Sequence, residues 1–200
     1  MKKNMFSVLA VASISLLAFT GINELPIGAA MPKAEVKMKD VSGKEVTLRD
    51  AAKKNGLLVM FSCNTCPYVI KNQQRTTEVA NYANTKDIGI ILVNSNEGQR
   101  SDDDSYAAMQ QYAKKHGYKW NYVVDENSVL ADAFGAKKTP ECYLFNKAGN
   151  LVYHGAIDDN PSNESAVSRK HLKEAMDQLL KGEEISVKTS KSVGCSIKRL

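Results

Sequence analysis

An apolar run, Gly56-Leu57-Leu58-Val59-Met60-Phe61, feeds without a break into Ser62-Cys63-Asn64-Thr65-Cys66-Pro67. A short stretch that is apolar at every position fits a strand covered on both faces, the kind found at the centre of a sheet flanked by helices. The run therefore delivers a C-x-x-C to the point where a buried strand gives way to a helix. Thiol–disulfide chemistry requires that placement. The strand holds the first cysteine at an edge of the fold. The helix start supplies unpaired N–H groups and the positive end of its dipole, which favour thiolate over thiol at Cys63. Cys66 lies one turn on, close enough to close a short disulfide ring or to attack a mixed disulfide. A bare C-x-x-C is also half of a zinc site, so the motif needs a second signal.

That signal is Thr139-Pro140 ahead of the strand-like Glu141-Cys142-Tyr143-Leu144-Phe145. Proline cannot donate to a strand ladder and is tolerated at a strand's first residue, where a cis X-Pro bond would turn the preceding backbone outward. With C-x-x-C-P and Thr-Pro-Glu in place, the chain resembles the thioredoxin-like superfamily, and within it the redoxin branch related to peroxiredoxins. Three further segments fit that branch: Gly149 to Gly155, Ile157-Asp158-Asp159-Asn160, and Gly194-Cys195-Ser196-Ile197-Lys198. The resemblance covers residues 33 to 200. It implies an α/β thioredoxin-like fold, a central mixed sheet flanked by helices, with an N-terminal β-hairpin extension.

The same resemblance implies roles. Cys63 attacks a partner's disulfide and Cys66 resolves the mixed disulfide. Thr139 offers its backbone to the substrate beside cis-Pro140. Many thioredoxins carry a buried acid in the strand before the C-x-x-C, but here Leu57 stands six residues before Cys63 where that acid would fall. A water takes over the proton transfer, or Glu141 leans in; otherwise Glu141 is an exposed strand residue. Asn64-Thr65 brings no cation to depress the thiol further, which points to a reductant or moderate exchanger. The implied partners are protein thiols and disulfides and a membrane or periplasmic electron donor; no cofactor is called for, and the protein is expected to be a monomer.

Two neighbouring chemistries compete. In peroxiredoxins the reactive cysteine precedes a proline, as Cys66 does, but the hydroxyl and proline expected upstream of it are Cys63 and Val59 here. A Sco-like copper chaperone would need one more residue between the cysteines and a distant histidine, for which only His116, His154 and His171 are available. A zinc site would need a second ligand pair, and there is no second C-x-x-C. Exchange is favoured, and no metal is assigned.

The start of the chain reads as an address. Lys2 and Lys3 precede an apolar stretch from Met5 to Phe19, with small residues at Gly28, Ala29 and Ala30. That order marks residues 1–30 as a secretory signal peptide, cleaved near Ala30–Met31, and places the protein in the periplasm or cell envelope. The stretch is shorter than the roughly 20 residues a spanning helix needs. The formal charge of +5 is spread along the chain, which excludes a nucleic-acid footprint. Residues 31–183 suit one domain, and 184–200 form an extended tail.

Alternation predicts a hairpin over 35–48, and helical spacing predicts one active-site helix from Asn64 to about Tyr82. Further strands are expected at 88–94, 122–124, 141–145 and 151–157, and helices at 101–116, 128–134 and 165–181. The three aspartates Asp102, Asp103 and Asp104 read as helix-start acids. Cys142 reads as a small buried hydrophobe. Cys195 sits in the tail between Val193 and Ile197, whose alternation implies that the tail docks as an edge strand or strap. There Cys195 would lie within reach of the fold, as an auxiliary redox thiol or as a docked structural residue.

Overall fold

The computed structural model describes residues 23–200. In chain order it contains β1 (Met38–Asp40), β2 (Glu45–Val46), α1 (Leu48–Ala51), β3 (Leu57–Phe61), α2 (Pro67–Lys71), α3 (Gln73–Thr85) and β4 (Gly89–Asn94). Then follow α4 (Tyr106–Lys115), β5 (Asn121–Val124), α5 (Val129–Phe134), β6 (Lys138–Thr139), β7 (Glu141–Phe145), β8 (Leu151–Gly155), α6 (His171–Lys181) and β9 (Cys195–Ser196). Seven strands build one sheet in the order β2-β1-β5-β4-β3-β7-β8. Strands β3, β4 and β5 are parallel, and β1, β7 and β8 run against their neighbours. This is the expected mixed sheet, flanked by helices.

Every residue of β3, β4 and β7 is buried because side chains of both signs of the pleat meet apolar layers. Leu58, Met60, Ile90 and Leu92 face one layer, shared with Val79, Met109, Leu172 and Met176 of the helices. Leu57, Val59, Phe61 and Ile91 face the other, built on Leu48, Leu130, Phe134 and Tyr143. Phe61, Phe134 and Tyr143 meet edge to face at ring separations of 5.1–5.6 Å. Burial of this kind contributes about 2 kcal/mol per large side chain and fixes where β3 ends.

Several boundaries differ from the sequence reading for local reasons. The hairpin strands are short because Thr47 leaves the ladder to cap α1, closing a capping box with Asp50. The active-site helix is two helices: Asn72 donates its side-chain amide to Tyr68 O and Pro161 O, competing with the helical ladder at the break. The helix expected to start at the aspartates begins at Tyr106, capped by Ser105. Asp104 turns inward instead and is fully buried. The last helix starts at His171, because Asp159 binds the amide of Ser168 and holds that stretch extended.

The signal-peptide expectation falls, for residues 1–22, outside the described residues. Residues 23–30 pack against the rest of the fold. Leu25 N donates to Phe134 O at 3.0 Å, Gly28 N to Leu151 O at 2.8 Å, and Leu25 and Ile27 pack on the second layer. Among the described residues no helix is long and apolar enough to cross a membrane.

Gly56 leads into β3 with φ +126°, and a Cβ there would stand 2.0 Å from Phe145 O. Gly56→Ala is expected to lower stability by about 3 kcal/mol, read as a shifted urea midpoint with an unchanged slope.

Candidate active site

The parallel strands end together, and the residues just past their carboxyl ends bind one another. Asp104 accepts from the Asn64 amide at 2.8 Å, from Asn94 Nδ2 at 2.7 Å and from Asn96 Nδ2 at 2.8 Å. Asn94 Nδ2 also reaches Tyr122 Oη, which donates to Asn64 Oδ1 at 2.9 Å. Asn64, between the two cysteines, is thereby held through its backbone and its side chain. No pattern in the sequence announces this. The aspartate run was legible, but which aspartate turns inward depends on the turn before α4.

On the far side, Thr139-Pro140 is cis, as the motif implied. Thr139 Oγ1 lies 3.4 Å from Cys63 Sγ, and the Thr139 carbonyl accepts from the Cys66 thiol at 3.2 Å. Glu141 is buried rather than exposed. Its carboxylate accepts from the Lys137 and Lys138 amides at 2.8 and 2.9 Å and meets His154 Nε2 at 2.8 Å. It braces the loop that carries Thr139, and its hydrogen bonds go to that loop and to His154, with none to a sulfur. His154 is buried and stacked on Tyr143, a structural position. Cys142 lies in the opposite layer among apolar side chains, where burial pushes its thiol far up.

The tail returns to this point. Strand β9 pairs antiparallel with β6, Cys195 opposite Thr139 and Ser196 opposite Lys138. Cys195 Sγ stands 2.6 Å from Cys66 Sγ, and the Cys195 amide points at the same sulfur from 3.4 Å. Cys195, expected within reach of the fold, stands at the cysteine pair itself. All four cysteines are free thiols, Cys63, Cys66 and Cys142 buried and Cys195 half-buried. Among the described residues no three His, Cys, Asp or Glu side chains form a metal-holding group.

The electrostatics of the pair differ from the expectation. Helix α2 begins at Pro67 with Cys66 as its N-cap, so the unpaired N–H groups and the helix dipole act on Cys66 and not on Cys63. Donation from the Cys63 thiol, then from Cys195 and the Val69 amide, holds the Cys66 thiol down at about 4 against the opposing effect of burial. Cys63 is pushed far up by its hydrogen bond to Cys66, by burial and by the Asp104 charge. Burial, followed by the neighbouring Cys66, raises Cys195 to about 11. The site thus favours the thiolate at Cys66 over Cys63 and Cys195, the two sulfurs that flank it.

The Redoxin family model matches residues 26–170. The chain belongs to the Redoxin family. An uncharacterized conserved protein of Geobacillus kaustophilus is 33% identical over 89% of this chain and 94% of its own, with a TM-score of 0.82. A hypothetical protein of Sinorhizobium meliloti is 29% identical over 89% of this chain and 97% of its own, at 0.81. The thioredoxin domain of a Bacteroides vulgatus thiol-disulfide oxidoreductase shares the fold at 20% identity, covering 66% of this chain and 89% of its own with a TM-score of 0.54. Comparison with curated proteins finds no match. Family and fold together support a redox function of the thioredoxin-like kind.

Native Cys66 is expected to react with iodoacetamide at a rate nearly flat from about pH 6 to 9, whereas in urea its rate climbs about tenfold per unit toward the ordinary thiol value. Mass mapping of alkylated Cys66 measures both profiles; a native profile that rises like the unfolded one removes the thiolate from this site.

Proposed function

We propose that this redoxin is an exported thiol–disulfide oxidoreductase that exchanges disulfides with protein partners through Cys63 and Cys66. The observation that carries the reading is the meeting of two cysteine sulfurs with a cis-proline loop at the end of a buried strand, one sulfur favoured as thiolate. The resemblance implies attack by Cys63. The geometry favours the opposite order: Cys66 faces the tail strand and the helix start, while Cys63 lies under Thr139 Oγ1 and feels the Asp104 charge.

In that order the Cys66 thiolate attacks one sulfur of a partner disulfide. A mixed disulfide forms, and the partner's other sulfur leaves as a thiolate. Cys63 then loses its proton and attacks Cys66 Sγ, releasing the partner's second thiol and leaving Cys63–Cys66 oxidised. A separate reductant, a membrane or periplasmic electron donor, must return the pair to its dithiol form. Run backwards, the same steps oxidise a partner.

Cys66→Ser is expected to abolish insulin-disulfide reduction, and Cys63→Ser combined with Cys195→Ser, which removes both sulfurs beside Cys66, to trap mixed disulfides through Cys66, seen as dithiothreitol-sensitive adducts. Adducts trapped by Cys66→Ser instead would return the attack to Cys63. Hydrogen-peroxide turnover outpacing insulin reduction in the wild type would make the activity a peroxidase.

Export is supported by the basic, apolar and small-residue order at the start of the chain. The contacts of Leu25 and Gly28 with the domain favour a cleavage point upstream of Asn23 over one at Ala30. N-terminal sequencing of the secreted protein is expected to show a mature chain that retains Leu25 and Ile27.

A further inference from the structure

The tail is sewn to the domain on both sides of the cysteines. Lys188 O accepts from His154 N, and Ser190 N donates to His154 O. Ser190 Oγ accepts from Ala156 N at 2.9 Å and meets Tyr153 Oη at 2.6 Å. Beyond Cys195, Ile197 N donates to Lys137 O, Lys198 N to Asn96 Oδ1, and Ile197 is buried in the second layer. Between these anchors Gly194 passes so close to the cis-proline loop that a Cβ on it would lie 2.0 Å from Thr139 O. The main chain of Cys195 therefore occupies the outward edge of Thr139, and its sulfur occupies the space in front of Cys66.

A partner disulfide approaching Cys66 needs those same two places. An extended peptide adding to the β6 edge would set its own backbone against Lys138–Thr139 and its sulfur against Cys66. We infer that the tail is a built-in stand-in for the partner strand, and that Cys195 is a third redox sulfur competing with Cys63 for a bond to Cys66. The inference rests on the exchange chemistry proposed for Cys63 and Cys66.

Two oxidised forms then exist at one oxidation level. In the first, Cys66–Cys195 is bonded and the tail is locked over the site. The Cys63 thiolate attacks Cys66 Sγ, the Cys66–Cys195 bond breaks, Cys63–Cys66 forms, and Cys195 leaves as a thiolate that takes up the proton Cys63 lost. No electrons enter or leave. In the second form the tail is held by hydrogen bonds and the buried Ile197 alone, so it can lift and open the Thr139 edge. Two-electron oxidation by a partner disulfide supplies either form. The exchange between them decides whether the edge is covered.

Trypsin separates the sulfurs. Cys63 and Cys66 fall in the peptide 55–71, Cys195 in 192–198 and Cys142 in 139–147. The reduced mature protein and its Cys63→Ser and Gly194→Val variants would be treated with oxidised glutathione, quenched with iodoacetamide, digested and mapped. Cys63→Ser is expected to yield the 55–71/192–198 cross-linked peptide as its main oxidised product, with Cys142 alkylated. Gly194→Val, which pushes the tail off Thr139, is expected to lose that cross-link and to react with iodoacetamide at Cys66 about tenfold faster than the wild type, since the opening no longer has to precede the reaction. The inference is overturned if oxidised Cys63→Ser carries Cys195 wholly alkylated while the wild type still forms Cys63–Cys66 and reduces insulin. It is also overturned if Gly194→Val leaves Cys66 reactivity unchanged. A wild type that forms neither disulfide and reduces no insulin overturns the exchange reading and this inference together.

Discussion

The arrangement depends on one buried carboxylate. Asp104 has no exposure, and a carboxylate so placed is tolerated only where donors replace the lost water. Its three donors come from two parts of the chain: the Asn64 amide between the cysteines, and Asn94 and Asn96 at the end of β4. Arg100 adds a bond to the Asp104 carbonyl, tying the following turn to the same place. Satisfying the acid and shaping the C-x-x-C loop are therefore one event. Without Asp104 the Asn64 amide would be a buried donor with no partner, and the start of α2 would lose the anchor that sets the direction of Cys66.

A second buried pair holds the other flank. Arg75 of α3 donates to Asp158 at 2.6 Å and to the carbonyls of Asn160 and Pro161, fixing the loop after β8 against the helix that follows the cysteines. Glu141 does comparable work inside the cis-proline loop, using two adjacent amides and His154. The sulfurs thus sit among three independently braced pieces, namely the C-x-x-C turn, the cis-proline loop and the tail. The braces are buried polar groups satisfied by backbone and side-chain partners, so the sulfurs meet in a defined geometry.

Most of the frame was legible because it follows from periodicity. The apolar runs at 57–61 and 88–94 read as buried strands and form β3 and β4. The cis bond at Thr139-Pro140 was readable from one dipeptide in its context. What stayed hidden were choices made by tertiary hydrogen bonds. Asn72 breaks a helix whose apolar spacing continues through it, because its side chain finds Pro161 O far along the chain. Asp104 looks like its two neighbours until Asn64, Asn94 and Asn96 are placed around it. The start of α2 is the instructive case: a shift of a few residues in where the helix begins moves the dipole from one cysteine to the other.

The course of the chain gives the docked tail a consequence in time. Strands β1 to β4 and the C-x-x-C turn come from the first half of the sequence, the cis-proline loop from well beyond it, and the cover over the sulfurs from the last few residues. A chain synthesised from its N-terminus therefore presents Cys63 and Cys66 before the strand that shields them exists. During that interval the pair is an open dithiol on a growing polypeptide. The closing residues bring the third sulfur and the seal together, so the finished protein acquires its protection at the moment its last partner thiol arrives.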